Sequence, residues 1–242
     1  MAVKRFVPLV LYSAIFLFYF FSLRSMKENS KAIRSDPEKS ARMPQGYRNM
    51  KIYENRFFTG WTFMLQILFV TIASVDELTK LLGLPSVVKN LFGKTRAFLF
   101  NALLFPCTVL VIVTFWSIWH VDRELIFPKE IDEYFPSWLN HVLHSFIGIP
   151  ILLELLLPKK DHFIAFKPAA VTLLLYCGIY QSLYFSIYFK DGVWLYPIYK
   201  VLDWPQRFIF NVIQVALILG FQYVGLAIQN SKNTKKSKQK VK

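Results

Sequence analysis

The chain has 242 residues, of which 55% are hydrophobic and 17% aromatic, and its formal net charge is +14. A soluble domain of this length would present a more polar surface to water, so the composition argues against the soluble globular class. The positive charge does not indicate nucleic-acid binding, because Lys and Arg lie between apolar segments and at the ends, and no nucleic-acid motif accompanies them. Such charge is typical of solvated loops near anionic lipid headgroups.

Six apolar segments follow one another, each with the length of about 17 to 25 residues that a helix needs to cross a bilayer. They cover residues 6–22, 57–75, 98–119, 138–157, 168–189 and 208–229. The predicted fold class is therefore all-α, a multi-pass membrane protein with six transmembrane helices in one domain, residues 1–230. Because the first segment is long and no cleavage site follows it, we interpret it as a retained helix rather than a signal peptide.

Two basic stretches lie outside these segments. Residues 24–56 are interpreted as a flexible loop on the membrane surface, and residues 231–242 as a disordered Lys-rich tail. Lys238 and Lys240 have the spacing of the dilysine retrieval signal of endoplasmic-reticulum membrane proteins, which is read in the cytosol. Lys and Arg are almost evenly divided between the two sides of the membrane, so this signal alone favours cytosolic termini and the endoplasmic-reticulum membrane.

Polar side chains inside membrane segments are costly and mark candidate functional sites. The fourth segment contains Asn140, His141 and His144, and its two histidines lie near one helix face. The chain has four histidines in all, too few for a histidine-rich di-iron site, so neither a metal nor another cofactor is predicted. Gln66, Asn101 and Glu154 are further polar candidates in these segments. For three others, interhelical hydrogen bonding is the simpler interpretation: Gln181, Asn211 and Gln214.

A histidine in this setting can act as general base for a hydroxyl nucleophile. The chain has no Gly-x-Ser-x-Gly turn, so the hydroxyl would come from a helix end. Thr59 and Thr62 begin the second segment, which runs in the same direction as the fourth, so both lie on the same side of the membrane as His144. Spacing alone favours an ordinary capping or backbone-bonding role for these threonines.

Several motifs occur in an order that resembles one family. They are Phe-Trp at 115–116, Asp-Arg-Glu at 122–124, Pro-Lys at 128–129, Trp-Leu-Asn-His at 138–141 and Gly-Val-Trp-Leu-Tyr-Pro at 192–197. The family is that of the androgen-induced and androgen-dependent tissue-factor-pathway-inhibitor-regulating proteins, transmembrane threonine hydrolases that split fatty acid esters of hydroxy fatty acids. The resemblance implies six helices, a threonine nucleophile and a histidine partner.

The family spacing, counted back from Gln66, assigns the nucleophile to Thr59, and the second histidine of the Asn-His-x-x-His run is His144. Gly60 and Trp61 depart from the family pattern, so Thr62 stays an alternative nucleophile.

Supporting roles are predicted for two further groups. Either Asn140 or His141 would orient His144 or donate to the oxyanion. A charged run follows the third segment: Asp122, Arg123 and Glu124. These residues would either bind the free carboxylate of the substrate or merely form ion pairs with one another. The predicted partners are a lipid ester and membrane lipids, and not nucleic acid. The alternative function is a non-enzymatic lipid-binding, scaffold or transport protein, although the matching broken helices of a transporter are not apparent.

Overall fold

The computed structural model describes residues 2–156 and 164–240, and within them the side chains of residues 6–156 and 164–231. In these ranges the chain is mainly helical, and six helical stretches are long and apolar enough to cross a membrane. This confirms the predicted all-α, multi-pass architecture. The six stretches are Phe6–Ser35, Phe58–Leu81, Ser86–Leu125, Ser137–Leu156, Phe166–Asp191 and Trp204–Ser231.

The first half of the chain forms helices that break at prolines and polar residues. They are α1 (Ala2–Ser35), α2 (Pro37–Ala41), α3 (Gln45–Ile52), α4 (Phe58–Leu81), α5 (Ser86–Leu99) and α6 (Phe105–Asp122). A π-helical stretch, Phe100–Leu104, joins α5 to α6. The third span is therefore much longer than the predicted segment 98–119, because apolar composition marks only the part of a helix that lies in hydrocarbon.

The second half supplies the remaining three spans. They are built from α7 (Ser137–His141), the π-helical stretch Val142–Phe146, α8 (Gly148–Leu156), α9 (Phe166–Asp191), α10 (Ile198–Val201) and α11 (Trp204–Lys240). The last residue of the fourth predicted segment, Leu157, lies outside the described residues. Helix α11 continues to Lys240, through most of the predicted disordered tail. Lys and Gln in that stretch are good helix formers, so a long apolar helix can extend into it.

Helices α1 and α4 pack antiparallel along the buried core. The Tyr19 ring lies 4.9 Å from the Phe63 ring, and the Tyr12 ring lies 6.2 Å from the Phe69 ring, measured between centroids. From Tyr19 to Tyr12, α1 runs back by seven residues, and the facing residue of α4 advances by six, from Phe63 to Phe69. This register places Thr59 level with Leu23 of α1.

Each π-helical stretch is followed by a proline, which has no backbone N–H to offer to the carbonyl four residues earlier. Pro150 leaves the Phe146 carbonyl available, and the Tyr19 hydroxyl donates to it at 3.3 Å. Pro106 leaves the Ala102 carbonyl available, and Gln222 Nε2 donates to it at 2.9 Å. Both wide turns are thus held by side chains from other helices.

Residues 24–56 do not form the flexible loop that the sequence suggested. They complete α1 and form α2, α3 and a short 3₁₀ turn at Glu54–Arg56. Tyr47 is buried, its ring lies 5.3 Å from that of Tyr134, and Asn29 Nδ2 donates to the Tyr134 carbonyl at 2.8 Å. A few apolar residues within the basic segment thus fasten it to the connection between the third and fourth spans.

The opposite end of the bundle contains a buried ionic cluster centred on Arg96. Its guanidinium donates to Glu154 at 2.7 Å, to Asp76 at 2.9 Å and to the Tyr12 hydroxyl at 2.8 Å. Tyr12 also donates to Glu154. Glu154, an acidic residue within the fourth span, is thereby explained as the partner of a buried arginine whose contacts join four helices.

Candidate active site

Thr59 and His144 lie in contact. Thr59 is in the first turn of α4, and its Oγ1 lies 3.3 Å from Nε2 of His144. His144 is in the π-helical stretch of the fourth span and is only 8% exposed, while Thr59 is half-buried. The two side chains predicted from the second and fourth spans are therefore within hydrogen-bonding reach of one another.

The other ring nitrogen of His144 fixes the proton arrangement. Nδ1 lies 3.0 Å from the backbone carbonyl of Asn140. A carbonyl oxygen can only accept, so Nδ1 carries the proton of the neutral ring and Nε2 presents its lone pair to Thr59. The imidazole is thus oriented in the sense that a general base requires, with a backbone carbonyl in the orienting position.

The ring of His144 is also held by packing. It stacks on Phe115, with centroids 3.6 Å apart and planes 10° from parallel. Trp116 Nε1 donates to the His144 carbonyl at 3.0 Å, and Gln66 Nε2 donates to the Ile147 carbonyl at 2.9 Å. These contacts fix the wide turn, and with it the position of the imidazole.

Two tyrosines cap the start of α4. The Phe58 N–H, which has no partner within its helix, donates to Tyr196 Oη at 3.0 Å and to Tyr180 Oη at 3.2 Å. Tyr196 belongs to the Gly-x-Trp-x-Tyr-Pro motif, so this motif positions the residue next to Thr59. Burial raises the pKa of the Tyr196 phenol above its ordinary value, so the hydroxyl stays neutral.

Thr59 and His144 open onto a large apolar cavity of about 1200 Å³. Its inner wall is formed by residues of α1, α4, α6, α9 and α11, among them Leu23, Phe63, Phe115, Tyr176 and Ile218. A site of this size and polarity fits a lipid acyl chain rather than a small polar substrate.

The amino-acid sequence is similar to that of one known family over most of its length. The family model described as FAR-17a/AIG1-like protein matches residues 6–230. The chain belongs to the FAR-17a/AIG1-like family. The match covers all six membrane spans, and the resemblance inferred from the motifs is confirmed.

Individual relatives within the FAR-17a/AIG1-like family are similar over most of the chain. The androgen-dependent TFPI-regulating protein of Mesocricetus auratus is 30% identical over 202 residues, 83% of each chain. The Homo sapiens protein of that name is 33% identical over 149 residues, 61% of this chain and 64% of its own. The androgen-induced gene 1 protein of Homo sapiens is 27% identical over 177 residues, 70% of this chain and 73% of its own. No solved structure matches the chain.

Of the alternative nucleophile and the predicted supporting residues, Asn140 contacts His144, whereas Thr62 and His141 do not line the cavity. Thr62 is fully buried and does not line the cavity. Asn140 is buried and contacts His144 through its carbonyl, rather than through the amide side chain. His141 is exposed, stacks on Trp116 and does not line the cavity.

The charged run at 122–124 is also placed away from the cavity lining. Asp122 accepts from the Glu124 backbone N–H at 3.0 Å, and Glu124 accepts from the Lys129 backbone N–H at 3.1 Å. Arg123 pairs with Asp132 at 2.6 Å and lies 4.1 Å above the Trp119 ring. The three charged side chains neither contact Thr59 or His144 nor form ion pairs with one another, and their contacts lie within the connection between the third and fourth spans.

Sequence reasoning missed two parts of this site. The Asn140 carbonyl carries no signal in the sequence, because every residue has one. The tyrosine pair had a weak signal, since Tyr196 stands in a recognisable motif but Tyr180 is one aromatic residue among many in α9.

Proposed function

We propose that the chain is a membrane-embedded hydrolase of lipid carboxylic esters, with Thr59 as nucleophile and His144 as general base. The observation that carries the proposal is the contact of the Thr59 hydroxyl with the unprotonated nitrogen of His144 in the wall of an apolar cavity. A threonine that served only as a helix cap would have no need of this partner. By family resemblance, the substrates are fatty acid esters of hydroxy fatty acids.

In the first half of the reaction, Thr59 Oγ1 attacks the ester carbonyl and His144 Nε2 takes its proton. The tetrahedral intermediate collapses as His144 gives this proton to the leaving alkoxide. An alcohol departs and an acyl-threonine remains. The Asn140 carbonyl holds the ring throughout and, by accepting from Nδ1–H, stabilises the imidazolium that forms between the two transfers.

The start of α4 is suited to stabilise the oxyanion. The first N–H groups of a helix have no partner within it and carry partial positive charge. Phe58 donates its N–H to the tyrosines, so in the proposed mechanism the N–H groups of Thr59 and Gly60 are the donors to the oxyanion. A well-placed donor of this kind contributes roughly 3 to 4 kcal/mol to the transition state.

In the second half, water replaces the alcohol. His144 takes a proton from the water molecule as its oxygen attacks the acyl carbonyl, and returns a proton to Thr59 Oγ1 as the acyl bond breaks. A free fatty acid leaves. This cycle needs only the chain's own residues and water.

We also propose the endoplasmic-reticulum membrane as the location, with both termini in the cytosol, on the basis of Lys238 and Lys240. Lys242, which ends the tail, lies outside the described residues. In this orientation α1 crosses away from the cytosol, and the first turn of α4, with Thr59, lies towards the lumenal side.

The test is hydrolysis of a branched fatty acid ester by the purified protein in detergent. Thr59→Ala and His144→Ala are expected to lower kcat at least about a thousandfold, as removal of a nucleophile or its base does in other hydrolases. Thr62→Ala is the matched control and should keep near-normal kcat. Labelling by a fluorophosphonate should follow the same pattern.

Full turnover by Thr59→Ala would show that the nucleophile lies elsewhere. Absence of turnover by the wild-type protein, with tight binding of the ester, would favour the alternative of a non-enzymatic lipid-binding protein.

A further inference from the structure

The rim of the cavity differs in charge from its interior. Five cationic side chains line the cavity: Lys27, Lys31, Arg34, Lys51 and Lys200. One acidic side chain, Glu54, accompanies them among the described residues, and it pairs with Lys51. The catalytic cavity is thus apolar inside and strongly positive at one edge.

Helix α1 supplies three of these cations from one face. Lys27, Lys31 and Arg34 are spaced by four and three residues, the spacing that places side chains on one side of a helix. Leu23 and Met26 line the cavity on the preceding turn. One stripe of α1 therefore changes from apolar to cationic as it leaves the bundle.

The register of α1 against α4 gives the distance of these charges from the nucleophile. Thr59 lies level with Leu23, so the three cations lie four, eight and eleven residues farther along α1. At the helical rise per residue, these positions are about 6, 12 and 17 Å beyond Thr59 along the axis. An extended chain spans this range with roughly five to fourteen bonds.

Four of the five cations at the rim form no ion pair among the described residues, whereas Lys51 pairs with Glu54. Among the ion pairs within the described residues, none includes Lys27, Lys31, Arg34 or Lys200. Two basic residues of the same segment that do not line the cavity are paired instead: Arg24 with Glu28, and Arg42 with Glu38. The three cations of α1 that line the cavity therefore carry unpaired positive charge where it opens.

We propose that this rim binds the anionic head group of the ester substrate, and so selects esters that carry an acid group about five to fourteen bonds from the ester carbonyl. The ester bond and acyl chain lie in the apolar part of the cavity, and the carboxylate or phosphate lies between the side chains of α1. The proposal rests on the proposed hydrolase function and assigns to residues 27–34 the acid-binding role that the sequence suggested for 122–124.

The test compares a branched ester that has a free carboxyl group with its methyl ester, in detergent micelles without charged lipid. The variant Lys27→Gln/Lys31→Gln/Arg34→Gln is expected to raise KM for the free acid about tenfold or more, because several exposed charge-assisted contacts are lost. Its kcat, and its KM for the methyl ester, should stay close to wild type. The matched control is Arg24→Gln/Lys39→Gln/Arg42→Gln, which removes the same number of positive charges away from the cavity. This variant should leave kcat and both KM values unchanged.

The arms of the experiment also identify the acid. A matched ester that ends in a phosphate is compared with the carboxylate, and a larger rise in KM for one of them in the rim variant names the group that the rim prefers. An unchanged KM for the free acid, or an equal rise for the methyl ester, would overturn the proposal. An effect that appears only in vesicles of anionic lipid would overturn it too, since the rim would then bind the membrane surface.

Failure of the hydrolase proposal can be separated from failure of this one. The Thr59→Ala protein is titrated with a non-hydrolysable ether analogue of the free acid and with the methyl ester of that analogue. The rim substitutions should weaken binding of the acid about tenfold and leave that of its methyl ester unchanged, whether or not the wild-type protein turns over any ester. If the Thr59→Ala protein without rim substitutions bound the acid and its methyl ester with equal affinity, the proposal would be contradicted.

Discussion

The contact between Thr59 and His144 depends on side chains that arrive from four spans. Thr59 and His144 come from the second and fourth, Phe115 stacks on the imidazole from the third, and Tyr180 caps the second span from the fifth. The hydroxyl and the imidazole are 3.3 Å apart, so a small displacement of either group would break their contact. The surrounding contacts are therefore as much a part of the site as the two reacting groups.

The tyrosine caps can be tested at this scale. Tyr196→Phe removes one acceptor of the Phe58 N–H but leaves Tyr180, so we expect a loss of about 1 kcal/mol and a roughly fivefold lower kcat. Tyr180→Phe/Tyr196→Phe should lower kcat by more than the product of the two single effects, because the N–H then has no acceptor. Tyr223→Phe, exposed on the outside of α11, is the control. Additive effects of the two single substitutions would show that the tyrosines do not share this role.

At the level of single residues, the family resemblance allowed Thr59 and His144 to be proposed together, and the structure places them in contact. The supporting roles were harder to predict. Asn140 was singled out for its amide, yet its backbone carbonyl makes the contact. Arg123 was singled out for its charge, yet Asp132 pairs with it nearby. Residue type shows what a side chain can do, but not which local partner it meets first.

The fourth span is irregular at the position of His144. The wide turn at Val142–Phe146 presents His144, and Pro150 prevents that stretch from closing into a regular α-helix at the Phe146 carbonyl. A regular helix would rotate the imidazole relative to α8. We infer that the irregular turn sets the direction of His144 towards Thr59.

Pro150→Ala tests this inference. The new N–H can bond the Phe146 carbonyl and shorten the turn, so kcat should fall at least about tenfold while thermal stability is kept or increased. Pro106→Ala is the matched control, since it makes the same change after the other π-helical stretch, whose residues do not line the cavity. Rates of ester hydrolysis and melting temperatures in detergent would be measured together. Equal rate losses in both variants would argue against a special role for the turn at His144.

The spans themselves were predictable from apolar composition, and the segment between the first two was not. Residues 24–56 look like a solvated loop because most of them are polar or charged. Ile33 and Tyr47 are enough to fasten the segment, since both are buried against the connection that follows the third span. Composition averages over such residues, so it cannot distinguish a free loop from helices that pack through a few side chains.

Across the whole molecule, the buried ionic cluster and the Thr59–His144 contact lie at opposite ends of the bundle. Arg96 is 3% exposed and ties Glu154, Asp76 and Tyr12 together, while the open cavity lies at the Thr59 end. The ionic cluster joins four helices at the end of the bundle away from the cavity. We expect the cluster to stabilise the fold without touching the chemistry.

Arg96→Met should therefore destabilise the protein by about 3 to 5 kcal/mol, because Glu154 loses its buried counter-charge. Arg96→Met/Glu154→Met should recover part of that loss, since it removes both charges. The control is Lys80→Met, because Lys80 also pairs with Asp76 but is partly exposed. This substitution should change the stability only slightly. Thermal unfolding in detergent gives the comparison, and kcat measured well below the melting temperature should stay near wild type. A double variant less stable than Arg96→Met would refute this view of the cluster.

The proposed mechanism requires an acyl group to be bound covalently to Thr59 during turnover. Rapid quenching of the purified protein while it hydrolyses a lipid ester, followed by peptide mass spectrometry, would detect this intermediate. We expect a peptide containing Thr59 that is heavier by the acyl group of the ester, and no such adduct in Thr59→Ala or His144→Ala. An adduct on Thr62 or on any other residue, or full turnover by Thr59→Ala, would contradict it.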